Sequence, residues 1–221
     1  MSDDGYREGA IDLLGILAYG ALTAFERLAE DAQQAPTLAD QVELATVAAR
    51  QIDHFKSVSA QLESMGVDVM TAMAPFHAPF DAFHNFTRPK DWYEGLVKAF
   101  VGDGIAADFY REIAAFVDAD TRNLVNRVLA DEGLQAYIVT QVRLGMEHDP
   151  KLSGRLSLWG RRLVGEALSQ AQRVAADRDA LTSLLTGTVD RPGLDLAAIS
   201  RMFSRLVANH TKRMAELGLK A

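Results

Sequence analysis

The chain has 221 residues, 48% hydrophobic and 24% charged, which is enough to bury a sizeable core, and its six prolines leave room for long helices. It has no cysteine, so disulfides, thiolate metal sites, iron–sulfur clusters and cysteine nucleophiles are excluded together, and any metal must be held by nitrogen and oxygen. The net charge of −7 argues against non-specific nucleic-acid binding by the chain as a whole.

That charge is uneven: residues 1–150 carry 11 Lys+Arg against 24 Asp+Glu, and residues 151–221 carry 12 against 6. A basic last third docked on an acidic body is the expectation, with an anionic partner as the alternative. The acidic start, and an apolar run from Leu13 to Phe25 that falls short of the ~20 residues of a bilayer span, predict a cytoplasmic protein without a membrane segment.

Apolar residues recur at helical spacing almost throughout, and no stretch alternates with period two, so the predicted class is all-α, with six helices. The first runs from about Tyr6 to Gln33, where Ile11, Leu14, Ala18, Ala21, Phe25, Leu28 and Ala32 step by three and four as a bundle seam, turning Ala21 inward and Glu26 outward. The second follows Pro36, capped by Thr37 with Asp40 three residues on, and ends near Gly66. Leu44, Val47, Gln51, His54, Val58 and Met65 form one of its flanks. Residues 66–90, with Pro75, Pro79 and Pro89 among four phenylalanines, are too apolar for a free linker and predict an ordered crossover packed on the bundle. Its His77 and His84 read as surface or packing residues.

Asp91 with Glu94 caps a third helix that continues to about Val117, placing Asp103 on an apolar seam between Gly102 and Gly104. A fourth, from about Asp120 to Glu147, puts Leu124, Val128, Asp131, Ile138 and Val142 on one face, with Leu134 three residues after Asp131. Asp149-Pro150 ends it. Two more helices, about 156–185 and 194–217, flank a loop with Gly187 and Arg191-Pro192-Gly193. Ile199, Phe203, Leu206 and Leu217 form the stripe of the last, with His210 on it as a hydrogen-bonded core histidine. Residues 1–221 thus read as a single domain, with a bundle core over about 6–147.

The segment "ARQIDHF", residues 49–55, suggests a chemistry. Helix bundles that hold two irons take one carboxylate from each of two helices and a Glu-x-x-His pair from each of the other two, the i, i+3 spacing setting both donors on one side of a helix. On this chain the six positions are Ala21, Gln51 and His54, then Asp103, Asp131 and Leu134, all inward by periodicity. Ala21 and Leu134 cannot bind metal and Gln51 is a neutral, poor donor. A remnant site of His54, Asp103, Asp131 and Gln51 is expected, with no iron or weakly bound iron. Two acids on apolar seams need a partner, which predicts that His54 reaches Asp103 or Asp131 directly or through water.

At these residues the chain resembles the bacterial ferritin-like proteins grouped with tRNA isopentenyl-adenosine hydroxylase. The resemblance runs from "GILAYGALTAFERLAEDA" through "VGDGIAADFYREIAAF" to "LWGRRLVGEALSQAQRVAADRDAL", the last two strings similar to its actinobacterial branch. It implies a ferritin-like four-helix bundle with two additional C-terminal helices, and Glu at the positions of Ala21 and Gln51 with His at that of Leu134 in members with an intact site. Two functions follow. One is a non-catalytic or altered-metal binding or scaffold protein; the other is a di-iron monooxygenase that hydroxylates a modified tRNA base, binding two irons with Glu166 or Glu132 as substitute ligands. An unidentified protein partner, tRNA and a homo-oligomer are the associations expected.

Overall fold

The computed structural model describes residues 3–130, 133–188, 191–192 and 194–221. The chain begins with two long helices, α1 (Asp3–Ala32) and α2 (Leu38–Ser64), joined by a short turn. The predicted seam of α1 is buried: Leu14 and Ala18 are fully enclosed, with Ala21, Leu28 and Ala32 nearly so, while Glu26 is exposed. Residues 12 to 18 are buried on every side, so α1 is the central helix. By length and composition alone α1 could cross a membrane, with an 18-residue window of mean hydropathy 1.3, but 61% of that window is buried inside the bundle, as in a core helix.

The Thr37 hydroxyl caps α2 by accepting from the Asp40 amide at 3.1 Å and donates to the Asp40 carboxylate at 2.6 Å. Residues 66–90 form an ordered crossover, as predicted, made of α3 (Val69–Met73), a 3-10 turn (Ala74–Phe76) and α4 (His77–Phe86). It lies hard against α1 at Gly15, where a Cβ would stand 2.2 Å from the carbonyl oxygen of Ala72, so only glycine fits there.

The third predicted helix is continuous but not regular. It comprises α5 (Trp92–Lys98), a π turn (Ala99–Asp103) and α6 (Gly104–Ala114). The π turn adds a residue to one helical turn and fans out the side chains around it, a feature that recurs at functional sites. The fourth predicted helix is two, α7 (Ala119–Val128) and α8 (Leu134–His148). Gly133, with φ of 97°, starts α8 from the left-handed region, so Leu134 opens a new helix. Asp131 and Glu132 lie outside the described residues.

The predicted fifth helix is also divided, into α9 (Lys151–Asp177) and α10 (Asp179–Thr186), broken at Arg178. Residues 187–188 pair antiparallel with 191–192, and α11 (Leu196–Glu216) ends the chain. Gly193 lies outside the described residues. The buried stripe of α11 is Met202, Leu206, His210 and Met214, one register away from Ile199 and Phe203, which are only half-buried.

The last third docks on the acidic body through arginines. Arg178 makes a bidentate pair with buried Asp12, Arg205 with Glu112, Arg155 bridges Asp91 and Glu94, and Arg213 meets Asp108. Two apolar clusters fill the bundle, one around Leu13, Phe76 and Ile113, the other around Leu44, Leu96 and Leu163.

Candidate functional site

A cavity of about 430 Å³ opens where those clusters meet, lined by Leu17 and Tyr110 of the first and by Val47, Phe100 and Ile138 of the second. Ala21, Gln51, His54, Asp103 and Leu134 all face it, which brings five of the six predicted positions to one wall. The reason is helical geometry: residues of like phase on packed helices point at the same space whatever side chain they carry.

The donors do not cluster as a metal centre. Among the described residues no group of three or more His, Asp or Glu side chains stands ready to hold an ion. The hydrogen bond given to His54 is from its own helix, Nδ1 to Gln51 Oε1 at 3.4 Å, and no direct bond joins it to Asp103 among the described residues. Glu166 is not on the cavity wall either: its Oε1 accepts from Gln170 on α9 at 2.6 Å.

Asp103 closes the π turn and lines the cavity, its side chain exposed there although protein atoms crowd around it. Burial pushes its carboxyl up to about 7, against the pull of Lys98 and with the aid of Asp31. Burial likewise brings Lys98 down to about 8 and raises Asp31 to about 6. The Lys98 ammonium donates to the Thr87 carbonyl at 2.8 Å and lies 5.5 Å from the centre of the Phe83 ring. Gly95 admits Asp31 to this corner, since a Cβ there would come within 2.9 Å of the Asp31 carboxyl carbon.

The histidines are packing residues. His84 sits against the rings of Phe80 and Phe83, and burial brings it down to about 3; His77 is exposed beside Asp81. His210 is buried on the α11 stripe, but neither ring nitrogen has a hydrogen-bond partner among the described residues, unlike the bonded histidine expected there. Burial, and then Arg213, lower its pKa.

Helix α11 adds Asn209, Lys212, Arg213 and Glu216, which close one side of the wall. Arg213 was not a candidate from periodicity. The one signal in the sequence is its place three residues after His210, which lies on the buried stripe. A Cβ at Gly104 would stand 2.3 Å from Arg213 Nε, so that glycine is what lets the guanidinium lie over the π turn.

With this geometry in view, the comparisons place the chain. No curated protein matches it in sequence. A solved structure, Protein 19 with aldehyde deformylating oxidase activity from Synechococcus, is similar with a TM-score of 0.71 and 23% identity, covering 98% of this chain and 93% of that one, a likeness of fold. Residues 4–188 match the ferritin-like domain of actinomycetes, and the chain belongs to that family.

Proposed function

We propose that this protein is a ferritin-like binding protein that uses the centre of its bundle as a ligand cavity and does not hold a pair of irons there. The observation that carries this reading is the wall itself: the positions that a di-iron site would use converge on one cavity, and their side chains do not fit the group. Two ferrous ions in a dry core need about four carboxylates and two histidines. Ala21 and Leu134 supply no donor and Gln51 a neutral one, so three of six positions fail whatever Asp131 and Glu132 contribute. His54 and Asp103 remain as donors for at most a weakly held ion. The space freed by the small side chains Ala21, Ala24 and Ala107 falls in the range of ligand pockets, about 300–1,000 Å³.

The test is metal content. Protein produced in iron-replete medium is expected to contain far less than two irons per chain. The triple change Ala21→Glu, Gln51→Glu and Leu134→His is expected to create tight ferrous binding and an oxo-bridged absorption in air, with single changes doing much less because bridging ligands act together. Two irons in the unaltered protein would put in its place the other reading, a di-iron hydroxylase of the tRNA-modifying kind. A triple variant that folds yet takes up no iron would remove the idea of a worn metal site.

A further inference from the structure

We propose that the cavity takes a small organic monoanion with an apolar body, its charged head held by Arg213 and its body lying against α1 and the crossover. The inference rests on the reading of the cavity as a ligand site and adds the chemistry of the ligand.

Two sides of the wall contrast chemically, while α2 and α6 contribute mixed residues such as Val47 with Gln51 and Tyr110 with Arg111. Helix α1 contributes Leu17, Gly20, Ala21 and Ala24, and the crossover contributes Phe80, all without charge. Helix α11 contributes only polar residues, Asn209, Lys212, Arg213 and Glu216. A ligand that satisfies both sides is amphipathic.

The sign of its charge follows from Arg213. One nitrogen of its guanidinium, Nη2, donates to Asp108 at 2.5 Å, and the same carboxylate also takes Asn209 at 3.1 Å and stands 3.8 Å from Arg111. One acid thus serves two guanidinium groups. The other terminal nitrogen, Arg213 Nη1, is shut off from solvent and has no hydrogen-bond partner among the described residues. A buried charged donor left unpaired is costly, and such a group in a folded protein calls for an acceptor. The guanidinium fork fits a carboxylate best. Gly104 makes room for this guanidinium, and α11 lies beyond the residues that match the family.

The experiment is calorimetric titration of the full chain with 2-naphthoate and with 2-naphthalenemethanol, which share an apolar body and differ in the head. The acid is expected to bind at least about tenfold more tightly than the alcohol, the difference made by one charge-assisted hydrogen bond. In Arg213→Gln this preference is expected to fall to about twofold or less while the alcohol binds as before. Arg213→Lys, which keeps the ion pair with Asp108 and so guards the fold, is expected to lose most of the preference too. Equal affinity for acid and alcohol in the unaltered protein, or a preference unchanged in both variants, overturns the anion inference and leaves the cavity a ligand site. Binding of neither compound overturns both.

Discussion

The last third of the chain meets the bundle at two places with the same residue type, and they differ in what is left over. At the α1–α10 end, Arg178 gives Nε and Nη2 to the two oxygens of Asp12, whose side chain is 3% exposed, and each charge is matched. At the α6–α11 end, Asp108 is shared among Arg213, Asn209 and Arg111, and Arg213 Nη1 has no partner among the described residues. The first contact is complete without a ligand and is structural. The second is complete only if something enters, which is why the functional reading rests there. Buried polar groups are normally paired, so an unmatched donor is more informative than a matched one.

The comparison is tested most severely at the matched end. Arg178→Ala strands a buried carboxylate and is expected to cost about 3–5 kcal/mol in urea denaturation. A loss under 1 kcal/mol would mean that Asp12 finds another partner and that the two ends are not distinct. Next in size is the acid response at the unmatched end. Because the pKa of His210 is lowered in the fold, below pH about 6.5 the unfolded chain binds a proton that the folded chain refuses, so stability contributed above that pH is lost as pH falls. In His210→Gln, denaturation midpoints measured from pH 7 to 5 are expected to fall less steeply than in the unaltered protein. In Arg213→Gln the slope is expected to ease only in part, because burial is the larger cause. Identical slopes in all three proteins would show that this end is not set by His210. The smallest effect belongs to Arg205, whose bidentate pair with Glu112 is half in solvent. Arg205→Ala is expected to cost at most about 1 kcal/mol and less in high salt.

Much of the site was legible because helical phase acts before any partner is known. Ala21, Gln51, His54, Asp103 and Leu134 could be assigned to one interior space from the steps of three and four around them, and they share one cavity. The same reasoning carried across Gly133 and Arg178 without seeing the breaks there, since the periodic apolar residues resume beyond each in nearly the same phase. A glycine inside a helical pattern is compatible with helix; only its φ of 97° shows otherwise. The π turn hid in the same way, with Gly102 and Gly104 as its sole hint. His54 was expected to reach Asp103 or Asp131, directly or through water; no direct bond joins it to Asp103 among the described residues, Asp131 lies outside them, and the charges that act on Asp103 are Lys98 and Asp31.

By itself the sequence determined the all-α class, the caps at Thr37 and Asp91, the ordered crossover and the inward set of residues, because each follows from spacing along one helix or from a neighbour three residues away. Tertiary structure alone decided which acid each arginine meets, that Lys98 is buried, and that the Arg213 guanidinium lies over Gly104 with Nη1 unpartnered among the described residues. Those outcomes depend on groups 11 to 166 residues apart being brought within hydrogen-bond reach, and on what else competes for the same carboxylate. No periodicity in one segment carries that information.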